Sequence, residues 1–197
     1  MLASASLARL ATLRAAGLDP EVVVSGVDES GVDGPPAEVA LELARRKARA
    51  VADALGDAAP GTYVLGCDSV LELDGQALGK PGDPERARER WRAMRGREGV
   101  LHTGHCVLDL GAAREVARGA STVVRFAEID DEEVDAYVAT GEPLAVAGAF
   151  TIDGLGGAFV TGVEGDPHNV VGVSLPLLRE VLHDLGVRWS DLWVGDR

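Results

Sequence analysis

One acidic residue interrupts the most apolar run of the chain, and its position is typical of acid–base or metal chemistry. Asp68 lies within Thr62 to Leu73 (TYVLGCDSVLEL), where both alternating faces are apolar, a pattern that predicts a central β-strand. A carboxylate there must be ion-paired, hydrogen-bonded, metal-bound or protonated, because its desolvation is costly. Capping of a neighbouring turn stays open as a purely structural role, but a buried carboxylate more often carries chemistry.

A lysine occurs where a structural residue would be apolar. Lys47 belongs to a predicted helix over 36–55 and lies four residues from both Leu43 and Val51, on the apolar stripe. Its ammonium then either extends along the edge of the stripe into water or points into a cleft that holds an anion. The helical pattern favours the two interpretations equally.

Further polar groups suit a phosphate. Lys80 precedes Pro81, which restricts Lys80 to an extended backbone and gives its side chain a defined direction. Ser4 or Ser6 can cap the first helix, where free backbone N–H groups and Arg9 one turn later suit an anion. Ordinary serine capping explains the same pattern without a ligand.

Acidic residues outside the strand offer hard oxygen ligands. Asp28 and Glu29 follow a short predicted strand, and carboxylate oxygens suit Mg²⁺ or Mn²⁺. The four histidines and two cysteines have no shared ligand spacing, so a zinc site is not expected. The sequence also contains neither GxxxxGK[ST] nor GxSxG.

The elements that position these residues alternate between helical and extended patterns, which predicts a mixed α/β fold. Helices are predicted over 36–55, from Asp83 to near Gly96, from Asp130 to Gly141 and from Ser174 to Leu185, after a first helix that ends at Gly17. Extended segments are predicted at 21–25, 62–73, 100–110, 115–126 and 147–163, with 100–126 forming a long hairpin. The segments 31–36 and 57–61 are predicted to be loops inside one domain.

Composition limits the class of protein. The 197 residues are 46% hydrophobic and carry a formal charge of −13, with 32 acidic and 19 basic side chains. Such acidity argues against binding nucleic acid, which needs basic surface. The two cysteines imply no disulfide framework, and no run approaches a membrane span, so we expect a cytoplasmic protein with no membrane partner. Trp189 and Trp193 are expected to pack on the body of the protein. Packing on a second subunit is the alternative, which leaves a homodimer open.

Segments along nearly the whole chain resemble the Maf family of nucleoside triphosphate pyrophosphatases, and their order and spacing fit. They are LASASLAR (2–9), VDES (27–30), LARRKARAV (43–51), VLGCDSVLELDGQALGKP (64–81), TGEPLAVAGAF (140–150) and GDPHNVVGVSLPLL (165–178). The resemblance implies a single domain, 1–197, with an elongated, two-lobed mixed-sheet α/β fold around a central cleft, similar to inosine triphosphate pyrophosphatases.

The resemblance also implies a reaction and roles for residues. Family members hydrolyse a nucleoside triphosphate to the monophosphate and pyrophosphate with a divalent cation, Mg²⁺ or Mn²⁺. Asp68 matches the catalytic carboxylate, a general base that activates the water either directly or through a metal-bound hydroxide. Glu29 matches an acidic cleft residue that would help Asp68 to hold the metal. The family positions that contact the triphosphate correspond in this sequence to Ser6, Arg9, Lys47 and Lys80.

Departures from the family pattern bear on the choice of base. Leu7 and Ala8 stand where a proline and one arginine of a pair are common, and Ser69 where threonine is frequent. Asp153 replaces a glutamine of the pyrimidine-preferring branch, and its ionised carboxylate would favour a base edge that offers an amino group. A non-enzymatic nucleotide-binding regulator of cell division and a generic phosphatase are the alternative functions.

Overall fold

The framework of the fold is one antiparallel sheet. The computed structural model describes residues 1–56, 59 and 61–194. In these residues the strands are β1 (Tyr63–Leu73), β2 (Gln76–Leu78), β3 (Glu98–Asp109), β4 (Arg114–Phe126) and β5 (Val160–Glu164). Their order is β2-β1-β3-β4-β5, and each pairing is antiparallel. Parallel pairing is confined to isolated bridges from Leu2 to Val22 and to Leu65.

Helices begin and end largely where capping residues predict. They are α1 (Leu7–Ala15), α2 (Pro36–Leu55), α3 (Pro84–Met94), α4 (Asp131–Ala139), α5 (Pro167–Val171) and α6 (Leu175–Asp184). Ser6, Asp83, Asp130 and Ser174 each accept a hydrogen bond from a backbone N–H of the first turn. The predicted α/β class, the long helix 36–55 and the β3–β4 hairpin are confirmed. The short helix α5 was not predicted.

Small residues bring α2 unusually close to the sheet. Ala40, Ala44 and Ala48 are fully buried on the helix. A Cβ at Gly66 would lie 2.3 Å from the Ala44 carbonyl oxygen, and one at Gly104 would lie 2.3 Å from that of Ala40. Because both glycines face α2, the helix backbone rests directly on β1 and β3.

One predicted extended segment is wrong, and a second is confirmed only over its last residues, 160–163, which belong to β5. Residues 21–25 form no strand and contribute only the bridge between Val22 and Leu2. Leu2 also forms a bridge to Leu65 in β1, so it links this segment to the sheet at a single point. Residues 147–163 form 3₁₀ turns at Ala147–Ala149 and Leu155–Phe159 before β5 begins. A glycine with positive φ, Gly148 at 70°, takes the first of these turns out of strand geometry. The loop predicted at 57–61 falls largely outside the described residues.

Residues of β1 belong to four apolar clusters, which leave a polar interval at two adjacent positions. Val64 and Val70 pack with α2 on one face of the strand. Leu65 and Cys67 belong to a cluster with α6, whereas Leu71 and Leu73 belong to one with α3 and α4. Asp68 and Ser69 fall between these two pairs. The cluster with α6 also receives Trp189, which packs on the body of the protein as predicted. No helix in the described ranges is both long and apolar enough to cross a membrane.

Candidate active site

A cavity of about 630 Å³ opens beside the polar interval of β1. Its volume is in the range of small-molecule sites. Most of the residues that the sequence selected line it: Ser6, Arg9, Glu29, Lys47, Asp68, Ser69, Lys80 and Asp153. Asp28, which the sequence offered beside Glu29, is not among the lining residues. Segments far apart in the chain therefore converge on one space. Their chemical roles stay predictions.

Lys47 joins two carboxylates at the base of the cavity. Its ammonium donates to Oδ1 of Asp68 and lies 2.5 Å from Oε1 of Glu29. Lys47 and Asp68 are each only 7% exposed, so the lysine points inward and does not extend along the helix surface into water. The close packing of α2 against Gly66 and Gly104 explains this, since it lets a side chain of the helix reach β1.

Burial controls the protonation of Asp68. Its removal from water raises the pKa of the carboxyl group, and the charges of Lys47 and Arg9 oppose this rise without cancelling it. Partial burial also favours the protonated form of Glu29. For that residue the hydrogen bond and charge of Lys47, with Lys80 and Arg9, outweigh burial and lower its pKa. The two carboxylates are therefore tuned in opposite directions.

Arg9 is held rigidly at the cavity wall. Its Nε donates to the Gly172 carbonyl at 2.7 Å, Nη1 to Ser4 Oγ at 3.0 Å and Nη2 to Ser69 Oγ at 2.9 Å. Ser69 in turn lies 2.9 Å from Thr103 Oγ1. A side chain fixed at three points presents its charge to an anion with little loss of conformational entropy on binding.

Ser6 and Arg9 belong to the same local structure. The Ser6 hydroxyl accepts from the Arg9 backbone N–H at 3.3 Å and caps α1, so the start of this helix opens on the cavity. Free N–H groups at a helix start attract anions. The predicted serine cap is confirmed for Ser6, whereas Ser4 instead supports the arginine.

The Lys80 segment is anchored by its backbone. Gly79 O accepts from the Gly148 N–H at 3.1 Å and from Nη1 of Arg90, and the Gly82 N–H donates to Leu144 O at 3.1 Å. These bonds fix the loop on both sides of Lys80, which places its charge within influence of Glu29.

The described residues suit a divalent cation only if a bound phosphate compound supplies further oxygen atoms to it. Within the described residues, no group of three or more His, Cys, Asp or Glu side chains could hold a metal. Lys47 contacts Oδ1 of Asp68, and no described residue donates to Oδ2. That oxygen and the Glu29 carboxylate match the one or two carboxylates that, with substrate phosphates, typically bind Mg²⁺.

Sequence reasoning missed residues that shape the site without an unusual local pattern. Thr103 holds Ser69 and donates to Asn169 O at 3.1 Å, and Glu142 accepts four hydrogen bonds beside the cavity. A threonine in a strand and a glutamate in a turn are unremarkable in sequence. The partners of Thr103 are 34 and 66 residues away in the chain, whereas those of Glu142 are 5 to 14 residues away and are brought together by irregular turns.

Comparisons of the sequence with known proteins show which family the chain resembles. The family model described as Maf-like protein matches residues 1–185. A Streptomyces coelicolor protein named nucleoside triphosphate pyrophosphatase is 60% identical over 197 residues, which cover 98% of this chain and 93% of the relative. Proteins with the same name from Salinispora tropica and Streptomyces avermitilis are 59% and 57% identical, each over 98% of this chain and over 86% and 93% of their own lengths. The chain therefore belongs to the Maf-like protein family.

Proposed function

We propose that the protein is an enzyme that hydrolyses a nucleoside triphosphate to the monophosphate and pyrophosphate. The observation that carries the proposal is the buried Asp68–Lys47 pair in one cavity with Arg9 and Lys80. The names of the curated relatives, nucleoside triphosphate pyrophosphatase, support it.

The reaction requires an aligned water and neutralisation of charge. Water attacks the α-phosphorus, the bond from this phosphorus to the bridging oxygen breaks, and pyrophosphate leaves. Asp68 is the general base that takes the proton of the water, and its raised pKa suits this role near neutral pH. Arg9, Lys47 and Lys80 offset the roughly four negative charges of the triphosphate and of the leaving group.

A divalent cation, Mg²⁺ or Mn²⁺, is part of the proposal. The oxygens of Asp68 and Glu29 would hold it together with the phosphates. The cation supplies additional charge neutralisation and Lewis acidity at phosphate oxygens. Lys47, which contacts both carboxylates, would fix their orientation.

The test is product analysis on a nucleotide panel with Mg²⁺ or Mn²⁺. The wild type is expected to release monophosphate and pyrophosphate, and Asp68→Asn to lose at least about a hundredfold in rate while still binding nucleotide. Asp53→Asn, an exposed change on α2, is the matched control. Orthophosphate as first product supports a generic phosphatase, and binding without turnover in the wild type supports the non-enzymatic regulator.

Base preference is proposed to depend on Asp153 at the cavity wall. Its carboxylate accepts hydrogen bonds and cannot donate them, so it favours a base edge with an amino group. Asp153→Gln is expected to improve the rate with UTP relative to CTP by several-fold. Equal turnover of UTP by the two proteins would remove the basis of this assignment. Ser69 is proposed to act in specificity through Arg9, which it contacts.

A further inference from the structure

A carboxylate just outside the cavity organises one of its walls. Glu142 does not line the cavity, but it accepts hydrogen bonds from Tyr137 Oη at 2.9 Å and Thr151 Oγ1 at 2.6 Å. It also accepts from the backbone N–H groups of Leu155 at 3.0 Å and Gly156 at 2.9 Å. Four donors therefore converge on a single side chain.

The fit around this carboxylate is close. A Cβ at Gly154 would lie 2.6 Å from Oε2 of Glu142, and one at Gly156 would lie 2.4 Å from the Tyr137 hydroxyl. Burial favours protonation of Glu142, but the donors outweigh it and lower the pKa to about 2. The group is thus an anion under all working conditions, and its hydrogen bonds persist.

The donors lie on both sides of Asp153 in the chain. Thr151 precedes it, and Leu155 and Gly156 follow it. Thr151 and Asp153 line the cavity, so the carboxylate fixes the backbone that carries them. The cationic residues of the cavity belong to α1, α2 and the Lys80 segment, and the hydrogen bonds that Glu142 accepts come from none of them.

We propose that Glu142 is a positioning residue for nucleobase selection. It holds the segment 151–156 so that the Asp153 carboxylate meets the edge of the base, while the triphosphate is bound elsewhere. This inference rests on the proposed function, since it assigns one wall of the same site to the base.

The experiment combines a structural and a binding readout, neither of which requires turnover. Glu142→Gln, Tyr137→Phe and the control Glu132→Gln, an exposed change on α4, are compared with the wild type. Hydrogen exchange is measured at the Leu155 and Gly156 amides. Dissociation constants are measured for non-hydrolysable CTP and UTP analogues and for inorganic triphosphate.

We expect Glu142→Gln to speed exchange at both amides at least about tenfold. The wild type should favour the CTP analogue, and the variant should bring the ratio of the two dissociation constants at least about threefold closer to one. Binding of inorganic triphosphate should be unchanged. Tyr137→Phe should change the exchange rates and the ratio in the same direction by a smaller factor. If Glu142→Gln does not fold, Tyr137→Phe serves as the test of the inference.

Three outcomes overturn the inference: equal binding of both analogues by the wild type, an unchanged ratio in the variants, or equal weakening of all three ligands. The last of these would assign Glu142 a structural role only. Failure of the proposed function would be seen separately, as a wild type that releases no pyrophosphate. The exchange and binding measurements do not require turnover, so they would still test the role of Glu142.

Discussion

At the scale of single residues, the site depends on the balance between burial and pairing at Asp68. An aspartate beside a lysine usually ionises more easily than in water, yet here desolvation prevails and the pKa is raised. The same lysine lowers the pKa of the more exposed Glu29. Opposite pKa shifts suit two different roles for the carboxylates. Asp68, with the raised pKa, suits a proton acceptor, and Glu29, with the lowered pKa, suits a charged group that binds a metal or Lys47.

The raised pKa of Asp68 predicts the acidic limb of the pH–rate profile. Only the deprotonated carboxylate accepts a proton, and a raised pKa keeps the group protonated up to a higher pH. The value of kcat/KM should therefore fall as pH decreases, with a midpoint above the value of about 4 of an ordinary aspartate.

The profile is measured with the Mg²⁺–nucleotide complex as substrate and no excess Mg²⁺, because kcat/KM reports the free enzyme and a cation bound to Asp68 would lower its pKa. Binding of a non-hydrolysable analogue is followed at each pH as a control for lost affinity. A rate that stays constant down to pH 4 would contradict the assignment of Asp68 as the base.

At the scale of elements, the position of α2 decides whether Lys47 reaches Asp68. The helix lies close to the sheet because Gly66 and Gly104 have no side chains between the two backbones. Gly104 is also the cross-strand partner of Asp68. The periodicity of α2 predicts its length and its inward face, but the distance between helix and strand depends on glycines in two other elements.

Gly104→Ala is therefore expected to damage both stability and activity. Its Cβ would lie 2.3 Å from the Ala40 carbonyl oxygen, so α2 must move away from β3. Overpacking of this kind costs about 1–3 kcal/mol, and the displaced helix would carry Lys47 away from Asp68. Thermal unfolding and the rate of pyrophosphate release measure the two effects.

A matched control exists on the next strand. Gly119 is the cross-strand partner of Gly104 in β4, and a Cβ there has open space around it. Gly119→Ala should leave unfolding and turnover nearly unchanged. Equal effects of the two substitutions would show that helix–sheet distance is not what matters.

At the scale of the whole molecule, the formal charge of −13 opposes binding of an anionic triphosphate. The cations of the cavity counter this only locally, and Lys47 is already paired with both Asp68 and Glu29. A metal–nucleotide complex carries less negative charge than the free nucleotide, so the acidity of the protein favours it as the substrate.

Removal of divalent cations is accordingly expected to abolish most of the activity without unfolding the protein. Pyrophosphate release should fall at least about tenfold in excess chelator and return with Mg²⁺ or Mn²⁺. The midpoint of thermal unfolding should not change, since no described cluster of three ligands holds a structural metal. Full activity in chelator would refute the metal dependence.

The sequence predicts the elements whose formation depends on neighbouring residues. Helix α2, the capped starts of α3 and α4 and the β3–β4 hairpin follow from periodicity, caps and turns, which involve residues close together in the chain. The predictions for 21–25 and for 147–159 are wrong, because single bridges and 3₁₀ turns depend on partners that local patterns do not show.

The assembly of the site is a tertiary property. Residue types marked Asp68 and Lys47 as unusual, and the family resemblance, rather than any spacing, selected the cluster. Side chains meet there across 21 residues for Lys47 and Asp68, 60 for Arg9 and Ser69 and 163 for Arg9 and Gly172. Such contacts form only when packing closes long stretches of chain. Glu142 was missed for another reason: its donors lie 5 to 14 residues away, but irregular turns bring them together, and no periodic pattern predicts these turns.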